Sequence, residues 1–182
     1  MCGFVGSIGR NSHDENCLKK MTDSLNHRGP DYNSYWIDQS SNFSFGHTRL
    51  AIQDTSKNGS QPMHSFTGRY VIAFNGEIYN HKILRSNLRN DLPDKNIKWN
   101  SSSDTETILS LIEVYGINKT LKLLKGMFSF ALWDKKEKIL TLARDRCGEK
   151  PLYYGRQKNS LLFGSELKAF RFHPDFNGEI NQ

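Results

Sequence analysis

Long apolar runs are missing from this 182-residue chain: no stretch of about 18 hydrophobic residues occurs, so no membrane-spanning helix is expected. The first ten residues are too short, and too punctuated by Gly3, Gly6 and Gly9, to form the apolar core of a secretory leader. Cysteine is scarce. Cys2, Cys17 and Cys147 form no CxxC pair, and an odd number of thiols cannot all be bridged. Together these absences place the chain in a reducing, cytoplasmic setting with free thiols. They also set aside the N-x-S/T matches at Asn42, Asn58, Asn100 and Asn118 as glycan acceptors. Histidines 13, 27, 47, 64, 81 and 173 show no HxH or HExxH spacing, so no metal site is expected. A GxxxxGK[ST] phosphate loop is absent too, since Gly3, Gly6 and Gly9 have the wrong spacing and lie in an apolar, strand-like segment.

The formal net charge of +6 raises the possibility of a nucleic-acid partner. However, Lys19, Lys82, Lys98, Lys122, Lys136 and Lys168 each fall in a different segment, and neither an arginine-rich run nor a zinc-finger spacing accompanies them. Scattered solvated charge is the better account, and no nucleic acid is expected. Hydrophobic residues make up only 36%, but 11 Phe, 7 Tyr and 3 Trp supply large buried surfaces, enough for the core of one domain.

Periodicity gives a coarse map. Cys2–Ile8 reads as a buried strand, and Asp14–His27 as a helix with Leu18, Met21 and Leu25 on one face and Gly29 past its end. Short strands are expected near Ser34–Ile37, Phe43–Arg49 and Arg69–Asn75, and helices over Lys82–Arg89 and Lys119–Leu124. The clearest helix spans Asp104–Tyr115, opened by a Ser103/Glu106 capping box and stopped by Gly116. Met127–Asp134 alternates strictly and pairs with Ile139–Arg144 across a Lys135–Lys138 turn; Leu152–Tyr154 and Leu161–Ser165 form a second hairpin. Hairpins with a few helices, and no regular β–α–β alternation, define an α+β domain with two antiparallel sheets. The polar, turn-rich tail after Phe172, residues 173–182, reads as a linker or the start of a further domain.

The chemistry begins at Met1-Cys2-Gly3. Removal of Met1 would give Cys2 both a nucleophile and a base: a thiol of pKa about 8.5 and its own α-amine of pKa about 8. Alone, a cysteine in second position is more often a bystander. Along the chain, however, follow His27-Arg28-Gly29-Pro30-Asp31, Gly46-His47-Thr48-Arg49-Leu50, Asn75-Gly76-Glu77-Ile78-Tyr79-Asn80 and Ser103-Asp104-Thr105-Glu106. Arg144-Asp145-Arg146, Lys150-Pro151-Leu152-Tyr153-Tyr154 and Phe163-Gly164-Ser165-Glu166-Leu167-Lys168 complete the series. In this order the motifs resemble the N-terminal-nucleophile (class II) glutamine amidotransferase domain of the asparagine synthetase family, over Cys2 to about Phe170.

That resemblance implies a four-layer αββα sandwich of two antiparallel sheets, the Ntn-hydrolase type, occupying residues 1–172. It implies hydrolysis of L-glutamine to glutamate and ammonia, with Cys2 as nucleophile and Asn75 and Gly76 as the oxyanion hole. Arg49 would grip the substrate carboxylate, Asp104 its ammonium, and Glu77 would assist at the amino end. Local sequence offers plainer readings: Arg49 in a surface ion pair, Asp104 as a first-turn acid on the helix dipole, Asn75-Gly76 as a hairpin turn. Arg28 and Gly29 would shape the pocket near Cys2, while Arg144, Asp145 and Lys150 would support the sheets and the face towards a partner; Cys147 and Glu149 depart from the usual pattern there. Cys17 and Cys147 are expected to pack rather than react. The ammonia would pass to an ATP-dependent synthetase domain or subunit. No segment of this chain resembles that half's Ser-Gly-Gly-x-Asp loop, so ATP and Mg are expected only there and no cofactor here. The alternative is a non-catalytic glutamine-binding or scaffold domain of the same fold, the reading that applies if Met1 stays on and blocks the amine.

Overall fold

The computed structural model describes residues 1–91 and 98–179. In chain order it contains β1 (Gly3–Gly9), α1 (Glu15–Asp23), β2 (Tyr32–Asp38), β3 (Phe43–Arg49), β4 (Met63–His64), β5 (Tyr70–Ile78), α2 (His81–Asp91) and α3 (Asp104–Tyr115). There follow α4 (Ile117–Leu123), β6 (Gly126–Asp134), β7 (Ile139–Arg144), β8 (Tyr153–Gln157) and β9 (Ser160–Gly164). Two antiparallel sheets result, one ordered β2-β3-β1-β9-β8 and the other β4-β5-β6-β7.

Strand alternation sorts the apolar residues into three cores and thereby stacks four layers. Phe4, Phe43, Phe45 and Phe163 of the first sheet meet Val71, Ala73, Ala131 and Trp133 of the second in the central layer. There the Phe43 and Trp133 rings stack at 4.2 Å, and the Trp133 indole donates to Asp38 Oδ2 at 3.1 Å. On the outer face of the second sheet, Ile72, Phe74, Phe130 and Leu132 pack against Leu84, Leu88, Ile108 and Ile112 of α2 and α3. On the outer face of the first, Val5 and Leu162 pack against Cys17, Met21 and Leu25. The αββα arrangement expected above is therefore the one found.

Helix α1 is capped by Asp14, whose carboxylate accepts from Cys17 N–H at 3.1 Å. It ends at Asp23, earlier than the sequence suggests, because Thr22 and Ser24 hydroxyls take the carbonyls of Leu18 and Met21 and the chain winds on through turns to Arg28. The α3 cap forms by half: Ser103 Oγ accepts from Glu106 N–H at 3.3 Å, but the Glu106 carboxylate reaches Asn100 and Ser101 N–H instead of closing the box. Asn75-Gly76 makes no turn; β5 runs straight through it to Ile78, paired with β6 from Tyr70↔Asp134 to Ile78↔Gly126. Beyond Phe172 the chain is still packed: His173 and Asp175 are buried, Asp175 accepts from Asn11 and Ser160, and Phe176 lies on the outer core of the first sheet. Residues 180–182 of the expected linker lie outside the described residues. None of the helices among the described residues is long and apolar enough to cross a membrane.

Candidate active site

One pocket opens where β1, β3, β5 and the start of α3 converge, lined among others by Cys2, Arg49, Asn75, Gly76, Glu77 and Asp104. The structure thus brings together every residue singled out from sequence for catalysis or substrate binding, from segments as distant as positions 2 and 104.

Cys2 precedes β1, whose pairing with β3 (Gly3↔Thr48) sets the thiol beside Leu50. Leu50 N–H donates to Cys2 Sγ at 3.4 Å, and the Leu50 carbonyl lies at 3.6 Å. Burial pushes the thiol pKa up; the Leu50 N–H, the chain's terminal ammonium and Arg49 oppose that rise. A partly buried thiol of this kind needs a base close by before it can attack. From behind, Arg28 Nε holds the Cys2 carbonyl at 3.1 Å, and Arg28 is itself fixed by Glu166 at 2.9 Å. Burial works to raise the half-buried Glu166 carboxyl, but hydrogen bonds from Arg28, His27 and Lys168 outweigh it and hold the group at about 2.

The register of β5 decides what Asn75 and Gly76 present. Gly76 stands opposite Phe128, whose N–H donates to Asp145 Oδ2 at 3.2 Å and whose carbonyl accepts from Asp145 N–H at 2.8 Å. Both Phe128 groups therefore point away from β5, and in an antiparallel pair the facing residue must point away as well. Gly76 N–H and C=O are directed to the other edge of β5, which β4 covers only at Val71 and Ile72. Along that edge Phe74 N–H is taken by Gln61 Oε1 at 2.6 Å and Ile78 N–H by Asp104 Oδ2 at 2.9 Å. Gly76 N–H lies between them and faces the pocket. Beside it the Asn75 amide nitrogen, in a residue 1% exposed, has no hydrogen-bond partner among the described residues. A buried donor left without a partner is costly unless something else is meant to fill it. Any side chain at position 76 would collide with the Met127 carbonyl, 2.3 Å from where its Cβ would sit, so glycine alone permits this close pairing.

Arg49, 8% exposed, forms no ion pair among the described residues. Its guanidinium instead gathers the carbonyls of Ser56 (2.8 Å) and Asp54 and so folds the 54–60 loop into a pocket wall. It passes so close to Gly59 that a Cβ there would lie 2.5 Å from Nη2. Its charge remains available to an anion. Asp104, 5% exposed, has its carboxyl pushed up to about 6 by burial, despite the backbone N–H groups that bond it. His47, fully buried, is held down at about 4 by burial, so it is neutral near pH 7. Its Nε2–H donates to the Phe74 carbonyl at 3.1 Å and ties β3 to the strand position just before Asn75.

Sequence reasoning did not single out Gln61, Leu50, Met127 or the role of Gly59, all at this pocket. Gln61 and Leu50 act through a backbone contact that no motif spells out. Lys150, expected to support the sheets and the face towards a partner, is 6% exposed and lines the pocket. Asp145 does brace its loop, accepting from the N–H groups of Cys147, Glu149 and Lys150. Cys17 is buried beside Met21, and Cys147 is exposed. Among the described residues no cluster of three or more His, Cys, Asp or Glu is arranged to hold a metal.

Two stacked antiparallel sheets between outer helices, with Cys2 at the pocket, give the chain the Ntn-hydrolase type of fold. Solved structures agree on the fold: the glutamine phosphoribosylpyrophosphate amidotransferase from B. subtilis superposes with a TM-score of 0.76 at 23% identity, over 94% of this chain and 43% of that one. An allosteric regulatory enzyme of purine biosynthesis gives 0.78 at 22% identity with the same coverage.

The glutamine amidotransferase domain family matches residues 1–182, and the chain belongs to that family. Its relatives include "Asparagine synthetase [glutamine-hydrolyzing] 3" of Bacillus subtilis (strain 168), 38% identical over all of this chain and 29% of the relative. A "Probable asparagine synthetase [glutamine-hydrolyzing]" of Acanthamoeba polyphaga mimivirus is 39% identical over 93% of this chain and 30% of that protein. The chain thus spans under a third of the length of these relatives.

Proposed function

We propose that this domain hydrolyses L-glutamine and supplies the ammonia to an ATP-dependent synthetase domain or subunit, as an asparagine-synthetase-like amidating system in the cytoplasm. One observation carries the reading: the Cys2 thiol, an Asn75 amide nitrogen without a partner among the described residues, the pocket-facing Gly76 N–H, the Arg49 guanidinium and the buried Asp104 carboxyl converge on one pocket. Glutamine offers a counterpart to each. Its carboxylate suits Arg49, its ammonium Asp104 with Glu77, and its carboxamide carbon lies within reach of Cys2. Once Met1 is removed, the Cys2 α-amine takes the thiol proton and the thiolate adds to the carboxamide carbon. The electron pair moved onto oxygen is met by Asn75 Nδ2 and Gly76 N–H. Collapse expels ammonia, which leaves with the proton held by the amine, and a γ-glutamyl thioester remains. Water, deprotonated by the same amine, attacks the thioester and releases glutamate. No nucleic acid, metal or other cofactor enters these steps; ATP and Mg would belong to the synthetase part.

Intact mass before and after treatment with a diazo-ketone analogue of glutamine tests this reading. Loss of the Met1 mass and a single adduct at Cys2, blocked by excess glutamine, is the expected result. Processed protein that takes no adduct would favour the glutamine-binding or scaffold domain.

A pH dependence follows from Asp104. Its carboxyl, raised to about 6, must be ionised to hold an ammonium. The KM for glutamine is therefore expected to rise as pH falls below about 6, approaching tenfold per unit, and to be flat above it. Steady-state kinetics between about pH 5 and pH 8 measure this. In Asp104→Asn the KM should be high throughout and the acid limb should vanish.

A further inference from the structure

Lys150 is a buried ammonium that none of the steps above uses. Its Nζ contacts the Met1 thioether sulfur at 2.8 Å, and no acidic side chain among the described residues pairs with it. A thioether is a weak acceptor, and a cation withdrawn from water without a counter-ion is costly. The backbone around it is nevertheless held tightly. Asp145 Oδ2 accepts from Lys150 N–H at 3.0 Å, Arg144 Nε donates to the Lys150 carbonyl at 2.6 Å, and the Pro151 carbonyl accepts from Ser129 Oγ at 3.1 Å. Ser129 is the β6 partner of Asn75. The loop is thus braced on the strand pair that carries the oxyanion donors, and its lysine reaches the chain's first residue.

We propose that Lys150 is a positioning residue for the N-terminal base: with Met1 gone, its ammonium stands beside the new α-amino group of Cys2 and favours that group's neutral form. An unperturbed α-amine, of pKa about 8, is mostly protonated at pH 7 and cannot accept a proton. A like charge lining the same partly dry pocket disfavours protonation, by about one pKa unit. That brings the base near working pH, where general-base catalysis is most efficient. Lys150 takes no part in the transfer; the thiol proton goes to the amine and leaves with ammonia. The other charged groups at this pocket are Arg49 from β3, Glu77 from β5, Asp104 from α3 and Asp54 from the loop after β3, with Arg28 on the Cys2 carbonyl. Asp104 and Glu77 have the substrate ammonium as their counterpart, which leaves Lys150 as the cation assigned to the terminal amine.

The inference rests on the glutaminase reading and is tested with Lys150→Met and Lys150→Arg, Met1 removal being checked by intact mass. Should either variant retain Met1, a cleavable leader ending at Cys2 exposes the same terminus. In Lys150→Met the acid limb of kcat/KM is expected to move up by about one pH unit, giving about tenfold less activity on that limb, while Lys150→Arg keeps the wild-type profile. Acetic anhydride labelling of the α-amine against pH, read by peptide mass, should show the same upward move in Lys150→Met alone. Unchanged limb and labelling midpoint in Lys150→Met, or equal shifts in both variants, would overturn the proposal. An inactive wild type would instead defeat the glutaminase reading, and the labelling midpoints would still decide the role of Lys150.

Discussion

Cys2→Ala, carried on a chain whose Met1 has been removed, is expected to lower glutamine hydrolysis on the order of 10⁴-fold or more, to the background of the assay. The size follows from the chemistry. Without the sulfur no thioester forms, and water must attack a carboxamide directly, aided only by the oxyanion donors and substrate binding. The fold should barely notice. Cys2 lies ahead of β1, only partly buried, and its sulfur meets only the Leu50 backbone; the Arg28 contact is to its carbonyl, which alanine keeps. Thermal unfolding should therefore stay within about 1 kcal/mol of wild type, and glutamine should still bind. Ammonia release and isothermal titration, run on the same preparation, check both halves. A variant that kept a tenth of the activity would move the nucleophile elsewhere.

Asn75→Ala should lower kcat by about 10²- to 10³-fold with little change in KM, the effect of deleting one donor aimed at a developing oxyanion. Stability is the informative contrast. Truncating a buried polar group normally strands its partner, but the Asn75 amide nitrogen has none among the described residues. The variant should accordingly lose rate without a matching loss of unfolding free energy, measured by denaturant titration. A large KM increase with kcat unchanged would instead assign Asn75 to ground-state binding.

Much of the fold was legible because its signals are local. Strict alternation over Met127–Asp134 placed Phe128, Phe130 and Leu132 on one face, and they do pack together on the helices α2 and α3. The Leu18 and Met21 face of α1 and the capped start of α3 likewise depend on neighbours a few residues away. Distant contacts overrode local preference at two places. Asn75-Gly76 has the best hairpin dipeptide available, yet nine rungs of pairing to β6 keep it extended. The second half of the Ser103/Glu106 box is lost because Glu106 organises the residues before α3 and lies beside Arg85 of α2.

The candidate site divides along the same line. Composition and order of motifs fixed which side chains were available: a thiol at position 2, one arginine ending a strand, one acid opening a helix, an amide and a glycine together. Sequence by itself determined that inventory, since residue chemistry is local. Only the tertiary structure decided what each of them faces. The pairing of β5 with β6 turns Gly76 N–H outwards, burial lifts Asp104 to about 6, and the Asp145-braced loop places Lys150 at the pocket. Direction, burial and the distance to another charge are properties of packed layers, set by contacts between segments far apart in the chain.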